Sequence, residues 1–414
     1  MKDLKKQLKR YARLLIENGV HLKKGQLLVI TLPVEQVEFG LLLKETAYEY
    51  GAGLVEMEYR DDASSRIDYL YADEKVLSKV KESTRLKTIE RQKEGAAFLH
   101  ISSPNPDLMK GVDARKAGRI QQARSKATND LAAYQMKSEG SWCVAAMPNA
   151  AWAKKVFPKI KDADQAVEAL YEAIFHTVYL DRKGDPVKNW QAHGDFIRAH
   201  CTILNDYAFT ALRFKNGHGT DLLVPLVENH IWGGGREFAS KTRQWFDPNI
   251  PTEEVFTAPH RMKTEGTVEA SRPLNLNGTL VEGFGFTFHK GKVVDFHARK
   301  GKEALETLLE TDAGSRRLGE VALVPYDSNI SNLNLLFYST LFDENAACHL
   351  ALGASYPTTC VAGEGMTDPE LRQHGMNTSA IHVDFMFGTE DLSCDGLLAD
   401  GTAVPVFRKG NFVF

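Results

Sequence analysis

An alternation of apolar strands and amphipathic helices in the first part of the chain constrains its fold more than any other feature. The run LLVI at 27–30 contains no polar residue, which is typical of a strand buried on both faces. A helix is predicted over 37–48, and a second strand follows over 54–59. Two strands joined through a helix pair in parallel with a right-handed crossover. The pattern therefore predicts an α/β layer around a parallel sheet, with further strands at 96–101 and 142–146.

The pattern of predicted elements changes from alternating strands and helices to hairpins after the polar stretch DRKGDP at 181–186. Beyond it, Asn-Gly at 216–217 and Lys-Gly at 290–291 each separate two apolar runs, and such dipeptides are typical of tight hairpin turns. We therefore predict two domains. An α/β N-terminal domain with a parallel sheet is expected over 1–185, and an α+β C-terminal domain with mainly antiparallel strands over 186–414.

Composition narrows the class of protein. The formal net charge of −3 gives no reason to expect a nucleic acid or an acidic membrane as a partner. No run of ~18 uncharged apolar residues occurs, so no membrane span is predicted. The five cysteines are scattered and form no CxxC pair, which favours a reducing, cytoplasmic location. The turn after Ile30 lacks the glycine fingerprint of dinucleotide-binding folds, so we expect no nucleotide cofactor.

The segment IHVDF at 381–385 places an imidazole and a carboxylate two residues apart in an apolar run. Alternate side chains of a strand leave on the same face, so His382 and Asp384 point the same way and their apolar neighbours point into the opposite layer. Two metal-competent side chains that leave one rigid strand side by side are half of a divalent-metal site. We expect the other half to come from the preceding part of the second domain.

Three earlier segments of that domain also combine acidic or imidazole groups with turn-forming residues. They contain Glu253 and Glu254 after a proline-fixed turn, Glu320 after a glycine, and Glu344 and His349 in the segment DENAACH at 343–349. Carboxylates and neutral imidazoles are the ligand set of Zn²⁺, Co²⁺ or Mn²⁺, and the lack of cysteine argues against a closed structural zinc site. Burying Glu254, Glu320 and Asp384 together would be prohibitive without cations. Residue chemistry alone leaves open both a metal site and a set of unrelated polar groups.

Taken together, these motifs resemble those of peptidase family M29, the thermophilic-type metallo-aminopeptidases. The motifs are PTEEVF at 251–256, Gly319-Glu320, DENAACH at 343–349 with Gly353 and Tyr356-Pro357, and HVDFM at 382–386. The similarity extends to GGREF at 234–238 and KGQ at 24–26, so it spans nearly the whole chain. Cys348, which precedes His349, is the one visible departure from the pattern.

The resemblance implies a homodimeric, two-domain metallo-aminopeptidase with a dinuclear centre of divalent ions, either Zn²⁺ or Co²⁺ and alternatively Mn²⁺ or Mg²⁺. The implied metal ligands are Glu254, Glu320, His349, His382 and Asp384. Among them, Glu320 is the implied bridging carboxylate and a catalytic residue. Tyr356 matches an active-site tyrosine. Glu344 matches an acidic position close to the metals, and its role as a ligand or as the general base stays open.

The expected reaction is the release of N-terminal amino acids from peptides with a free N-terminus by a metal-activated water. Arg236 and His260 are conceivable contacts to a substrate carboxylate, although an ordinary surface or strand-edge role is the simpler explanation. Two other functions stay open: a two-metal hydrolase of phosphoesters or amidates, and a metal-stabilised binding protein without turnover. The lack of a Gly-rich phosphate loop disfavours the first. The surplus of acidic and phenolic groups beyond the needs of a closed metal site disfavours the second.

Overall fold

A computed structural model of the chain describes residues 3–276 and 279–414. The chain forms two compact units. One runs up to Asp195 and includes Arg236–Pro251, and the other comprises Phe196–Gly235 and Thr252–Phe414. The division into domains at residue 185 stays a prediction about which parts of the chain fold independently.

The first unit is an α/β layer with a parallel sheet of four strands in the order β2-β1-β3-β4. These strands are β1 (Leu27–Pro33), β2 (Leu54–Arg60), β3 (Ala97–Ser102) and β4 (Trp142–Ala146). The helices up to residue 207 are α1 (Leu4–Leu14), α2 (Val37–Glu49), α3 (Asp62–Tyr71), α4 (Glu74–Leu77), α5 (Glu82–Lys93), α6 (Ala114–Ala127), α7 (Asn129–Met136), α8 (Ala150–Val156), α9 (Ala163–Thr177) and α10 (Pro186–Tyr207). The prediction of an α/β layer with a parallel sheet is confirmed.

Burial explains the composition of this sheet. Leu28, Ile30 and Leu99 lie on the central strands and are fully buried, as expected for parallel strands that are covered on both faces. Strand β2 lies at the edge and carries charged side chains instead. Its Glu56 accepts a hydrogen bond of 2.9 Å from Arg91 of α5. Charged side chains on an edge strand discourage pairing with another chain.

The later strands are β5 (Ala211–Lys215), β6 (Asp221–Pro225), β7 (Glu237–Ala239), β8 (Gln244–Phe246), β9 (Val255–Thr257), β10 (Glu265–Glu269), β11 (Leu274–Leu276), β12 (Thr279–His289), β13 (Lys292–Lys300), β14 (Leu318–Leu323), β15 (His349–Gly353), β16 (His382–Met386), β17 (Ser393–Leu397), β18 (Ala403–Arg408) and β19 (Asn411–Phe412). The pair β7-β8 belongs to the first unit. In the second unit, a nine-stranded sheet has the order β11-β12-β10-β6-β5-β17-β18-β19, with β13 on β12. Its pairings are antiparallel, as predicted.

Both predicted hairpins are present in this sheet. Strands β5 and β6 pair across the Asn216-Gly217 turn, and β12 and β13 pair across Lys290-Gly291. The short helices of the second unit are α11 (Lys302–Leu309), α12 (Asn329–Asn332), α13 (Thr340–Asp343) and α14 (Asp368–Gln373). Within the described ranges, no helix combines the length and apolar character that a bilayer crossing requires.

The second unit also contains a four-stranded antiparallel sheet in the order β16-β15-β14-β9. Its two faces differ sharply in chemistry. On one face, Val321, Leu350, Leu352 and Phe385 belong to a single buried apolar cluster. The opposite face is lined by polar residues and by small ones such as Ala351. One face of this sheet therefore packs in the core, and the polar face is left available for binding or catalysis.

Two glycines shape the end of this sheet. Strand β14 bulges at Gly319, which shifts its register on β15 between Leu318 and Glu320. A Cβ atom at Gly319 would lie 2.3 Å from the carbonyl oxygen of Ala354. Gly353 has a φ of +112°, and a Cβ atom there would lie 2.0 Å from the carbonyl oxygen of Ile381, just before the neighbouring strand β16. Both positions therefore require the absence of a side chain.

We expect Gly353→Ala to destabilise the second unit by ~1–3 kcal/mol, because alanine is strained at positive φ and its methyl group overlaps a carbonyl oxygen. Chemical denaturation measures the free energy of unfolding. The matched control is Gly365→Ala, where the added Cβ meets no atom within 4 Å. Equal stabilities of the two variants would contradict the interpretation of Gly353.

His100 gives the first unit a pH dependence. Its ring lies in β3, 6.4 Å from the ring of Phe98 between centroids, and its Nε2 lies 3.2 Å from Nε2 of Gln135. Burial lowers the pKa of His100 from 6.5 to about 4, and the charge of Arg60 acts in the same direction. The folded protein therefore keeps this imidazole neutral at pH values where the unfolded chain protonates it.

We predict that the stabilising contribution of neutral His100 is complete above pH 6.5 and is lost as the pH falls toward 4, because the unfolded chain then binds more protons. The loss should approach ~2–3 kcal/mol. Denaturation at pH 7 and pH 4.5 measures it, and His100→Gln should flatten this part of the profile. Identical pH slopes for both proteins would argue against a shifted His100.

Candidate metal centre

The structure gathers five acid and imidazole side chains on the polar face of the four-stranded sheet. In β14, Glu320 lies opposite Ala351 of β15, which in turn lies opposite Asp384 of β16. One row along, Gly353 lies opposite His382. Residues that pair directly across a sheet share a face, so Glu320, Asp384 and His382 point the same way.

The same geometry adds His349 and Glu254. His349 is two residues from Ala351 in β15 and therefore lies on the same face. Glu254 immediately precedes β9, whose Val255 lies opposite Leu323 of β14. The Nε2 atom of His349 is 2.9 Å from Oε2 of Glu254, so the start of β9 also reaches the cluster.

Glu320 lies between two groups of potential ligands. One of its carboxylate oxygens is 3.5 Å from Nε2 of His349, and the other is 3.4 Å from Nε2 of His382. His382 in turn lies 3.4 Å from Oδ1 of Asp384. Two triads result, Glu254-Glu320-His349 and Glu320-His382-Asp384, and in each the ligand atoms lie within 4.8 Å of one another. Glu320 is common to both.

Backbone hydrogen bonds orient both imidazoles. The Nδ1 atom of His349 donates to the carbonyl oxygen of Ala347 at 3.2 Å, and Nδ1 of His382 donates to that of Ala354 at 2.7 Å. With Nδ1 committed to a carbonyl oxygen, Nε2 is the nitrogen that faces the carboxylates, and it can bind a cation once it gives up its own proton. This is the tautomer and orientation that metal-binding histidines commonly adopt.

Burial and charge act against each other in this cluster. Glu320 is 4% exposed and Asp384 is 8% exposed. Burial alone would raise the pKa of both carboxyls, but hydrogen bonds and charge from the two imidazoles lower it. Burial likewise lowers the pKa of His349, but its hydrogen bonds to Glu254 and Glu320 outweigh that effect and raise it well above 6.5. The buried carboxylates are thus stabilised by positive charge beside them.

Glu344 adds a further carboxylate to this environment. It begins a 3₁₀ turn, Glu344–Ala346, and is 9% exposed. Burial raises its pKa well above 4.5, and the charges of Asp384 and Glu254 raise it further. The neighbouring Asn345 donates from Nδ2 to Oε1 of Glu344 at 3.4 Å, and its Oδ1 accepts from the backbone N–H of Glu253 at 2.7 Å. Asn345 therefore ties the turn that carries Glu344 to the segment that carries Glu254.

Tyr356 packs over the same face. Its ring centroid lies 4.8 Å from that of His382 and 5.8 Å from that of Phe256. Burial and the nearby carboxylates of Glu320 and Asp384 raise the pKa of the phenol well above 10. Tyr356 therefore keeps its proton and can act as a hydrogen-bond donor.

Two residues named as conceivable substrate contacts have the following described partners. Arg236 belongs to the first unit, where its Nε lies 3.6 Å from Oδ1 of Asp247. His260 accepts a hydrogen bond from the backbone N–H of Met262 through Nδ1 at 3.2 Å. The sequence-based reasoning had no role for Asn345 or for Ala351, although the amide next to Glu344 was visible in the motif DENAACH.

The donor set fits divalent cations. Two imidazoles and several carboxylates meet in a buried place with no cysteine ligand, and two overlapping triads share one carboxylate. Such a set is typical of Zn²⁺, Co²⁺ or Mn²⁺ sites that keep positions open for water and substrate. A second ion beside the first would also offset the excess negative charge of the four carboxylates.

Comparisons with known proteins agree with this chemistry. The sequence model of the family described as thermophilic metalloprotease (M29) matches residues 4–412. Aminopeptidase 2 of Geobacillus stearothermophilus is 43% identical over 417 residues, which cover 100% of this chain and 99% of that protein. Aminopeptidase T of Thermus aquaticus is 43% identical over 407 residues, which cover 98% of each.

A solved structure is also similar over its whole length. Wild-type AmpT from Thermus thermophilus matches with a TM-score of 0.91 and 41% identity, covering 99% of this chain and 100% of that one. The predicted fold class and the predicted resemblance are confirmed. The chain therefore belongs to peptidase family M29 and is a hydrolase of the metallopeptidase class.

Proposed function

We propose that the chain is an aminopeptidase that removes N-terminal amino acids from peptides with the help of two divalent ions. The observation that carries the proposal is the position of Glu320, which belongs to both ligand triads. The names of the full-length relatives support the aminopeptidase activity. Zn²⁺ or Co²⁺ as the ions, a homodimer and a cytoplasmic location also stay proposals.

In this proposal, Glu254 and His349 would hold one ion and His382 and Asp384 would hold the other, and Glu320 could contribute an oxygen to each. When bound, such ions polarise the scissile carbonyl and lower the pKa of a bound water. The residues themselves fix the ligand atoms in place, since each imidazole is held by a backbone carbonyl oxygen.

Glu344 is the proposed general base, with Glu320 as the alternative. Burial and the neighbouring carboxylates raise the pKa of Glu344 above 4.5, which makes its carboxylate a stronger base toward a proton of water that it could then return to the leaving nitrogen. Tyr356 is the proposed donor to the developing oxyanion, and its high pKa keeps the donating proton in place. Removing one such donor typically costs ~2.7–4 kcal/mol of transition-state stabilisation.

The proposed centre would favour substrates with a free N-terminal amine. Two divalent ions would balance the charge of the four carboxylates Glu254, Glu320, Glu344 and Asp384, and an ion with an open position can bind a neutral amine. The interior of a polypeptide offers no such group, which supports exopeptidase action over cleavage within a chain.

We predict that a chelator abolishes hydrolysis of aminoacyl anilides and short peptides, and that Zn²⁺ or Co²⁺ restores it. The measurement is initial rate together with metal content per chain before and after stripping. About two ions per chain in the active form are expected. Full activity after complete removal of metal would refute the proposed mechanism, and turnover of phosphoryl substrates alone would favour the phosphoesterase alternative.

We predict that Glu320→Gln lowers kcat/KM by more than ~100-fold, because even the outer partners of metal ligands contribute 10–100-fold. Metal content should fall at the same time, while far-ultraviolet circular dichroism stays unchanged. Glu390→Gln, an exposed carboxylate in the same unit, is the matched control and should keep normal activity. Near-normal turnover in the Glu320 variant would remove this residue from the centre.

A further inference from the structure

Asn377 is a buried amide next to the end of strand β15, and only 1% of it is exposed. Its Nδ2 donates to the carbonyl oxygens of Gly353 at 2.6 Å and Gly314 at 2.8 Å, and a longer contact of 3.4 Å joins it to that of Arg317. Its Oδ1 has no hydrogen-bond partner among the residues that the structure describes. The side chain therefore acts through the N–H donors of its amide.

The main chain of Asn377 holds the same segment a second time. The N–H of Ser355 donates to the carbonyl oxygen of Asn377 at 2.8 Å, and the N–H of Asn377 donates to Oγ of Ser355 at 3.1 Å. Together with the bond from Nδ2 to Gly353, these contacts fix the residues on both sides of Ala354. The N–H of Ala354 itself donates to the carbonyl oxygen of Ile381 at 2.7 Å. The backbone at Ala354 is therefore held in place from several directions.

Ala354 in turn orients one of the proposed metal ligands. Its carbonyl oxygen accepts a hydrogen bond of 2.7 Å from Nδ1 of His382. With the ring held in this way, Nε2 of His382 lies 3.4 Å from a carboxylate oxygen of Glu320 and 3.4 Å from Oδ1 of Asp384. A displaced carbonyl oxygen would let the imidazole rotate away from this position, and such outer partners tune the affinity of metal ligands.

The second imidazole of the cluster is held by a different group. Nδ1 of His349 donates to the carbonyl oxygen of Ala347 at 3.2 Å. In the described part of the chain, the hydrogen bonds of Asn377 go to residues 314, 317, 353 and 355, and none joins it to Ala347. Asn377 is thus connected to one of the two ligand triads and not to the other.

We propose that Asn377 is a positioning residue for His382, which acts through Ala354 and sets the affinity of the ion that His382 and Asp384 would hold. The inference rests on the proposed two-ion function. The other ion would depend far less on Asn377, because its imidazole is held independently. A defect at Asn377 should therefore empty one position of the centre before the other.

The chemistry of the amide predicts how substitutions at Asn377 should rank. An asparagine nitrogen carries two donors, so it can bind the carbonyl oxygens of Gly353 and Gly314 at once. Serine keeps one donor on a shorter side chain and can keep at most one of these contacts. Aspartate has nearly the same shape as asparagine, but it would place an acceptor against the carbonyl oxygens. We therefore expect Asn377→Ser to be the mildest change and Asn377→Asp to be at least as severe as Asn377→Ala.

The test is a titration of the chelator-stripped protein with Co²⁺, followed by calorimetry and by metal content per chain. Asn377→Ala should weaken one of two ions by ~10–100-fold and leave the other within about threefold, because the change reaches only one imidazole. Asn377→Ser should weaken the same ion by a smaller factor. The Co²⁺ concentration for half-maximal hydrolysis of leucine p-nitroanilide should rise in the same order.

Two further backgrounds assign the weakened ion. In His349→Ala, the remaining ion would be held by His382 and Asp384, so adding Asn377→Ala should weaken it by the factor seen in the otherwise unchanged protein. In His382→Ala, the remaining ion would be held by Glu254 and His349, so adding Asn377→Ala should leave its affinity unchanged. The opposite pattern would overturn the proposal.

Asn216→Ala is the matched control. Asn216 lies in the hairpin between β5 and β6 of the same unit, where its Nδ2 donates to the carbonyl oxygen of Phe387 at 3.3 Å. Its Oδ1 accepts from the N–H groups of His218 at 3.1 Å and Thr220 at 3.0 Å. This variant also loses three hydrogen bonds and should leave both Co²⁺ affinities unchanged. Equal weakening of both ions by Asn377→Ala would assign its effect to a general loss of stability and overturn the proposal.

The remaining outcomes separate the inference from the function on which it rests. Unchanged affinity of both ions in Asn377→Ala overturns the role of Asn377. If the alanine and aspartate variants do not fold, Asn377→Ser decides by the same criteria. Failure of the proposed function shows in the wild type instead, as a chain that binds fewer than two ions or cleaves no peptide when it is loaded with metal.

Discussion

The second unit depends on one electrostatic constraint, the burial of several carboxylates on a single sheet face. Glu320 and Asp384 are almost entirely removed from water, and isolated ions in such a place would be destabilising by several kcal/mol each. Two imidazoles offset part of this cost, since His349 lies within 2.9 Å of Glu254 and His382 within 3.4 Å of Glu320. The arrangement is complementary to divalent cations, and it agrees with the membership of the chain in a metallopeptidase family.

In the four-stranded sheet, one face packs in the core and the other carries the charged side chains. The apolar face adds Leu350, Leu352 and Phe385 to a large buried cluster and so holds the strands in register. Because register is fixed by that core, the opposite face can present charged groups at defined spacing. Ala351 lies between Glu320 and Asp384 in the same row, and a larger side chain there would occupy the space between the two carboxylates.

The sequence contained enough information for the elements and for most of the candidate site. The two-residue spacing of His382 and Asp384 predicted that they share a face of a strand, and the turn dipeptides predicted both hairpins. Both features depend on local geometry. The bulge at Gly319 and the position of Ala351 depend on which strands become neighbours. Asn345 acts through Glu253, which lies 92 residues away in sequence. Contacts of that kind follow from the folded register and leave no periodic signal in the chain.

The shared position of Glu320 has a consequence for the stability of the protein. Ions held by the two triads would cross-link neighbouring strands, because the ligands are spread along the chain from Glu254 to Asp384. Each tenfold rise in free metal above the dissociation constant would then add ~1.4 kcal/mol to the folded state for each ion. The metal supply of the cell would in this way set how long the enzyme survives heat as well as how fast it works.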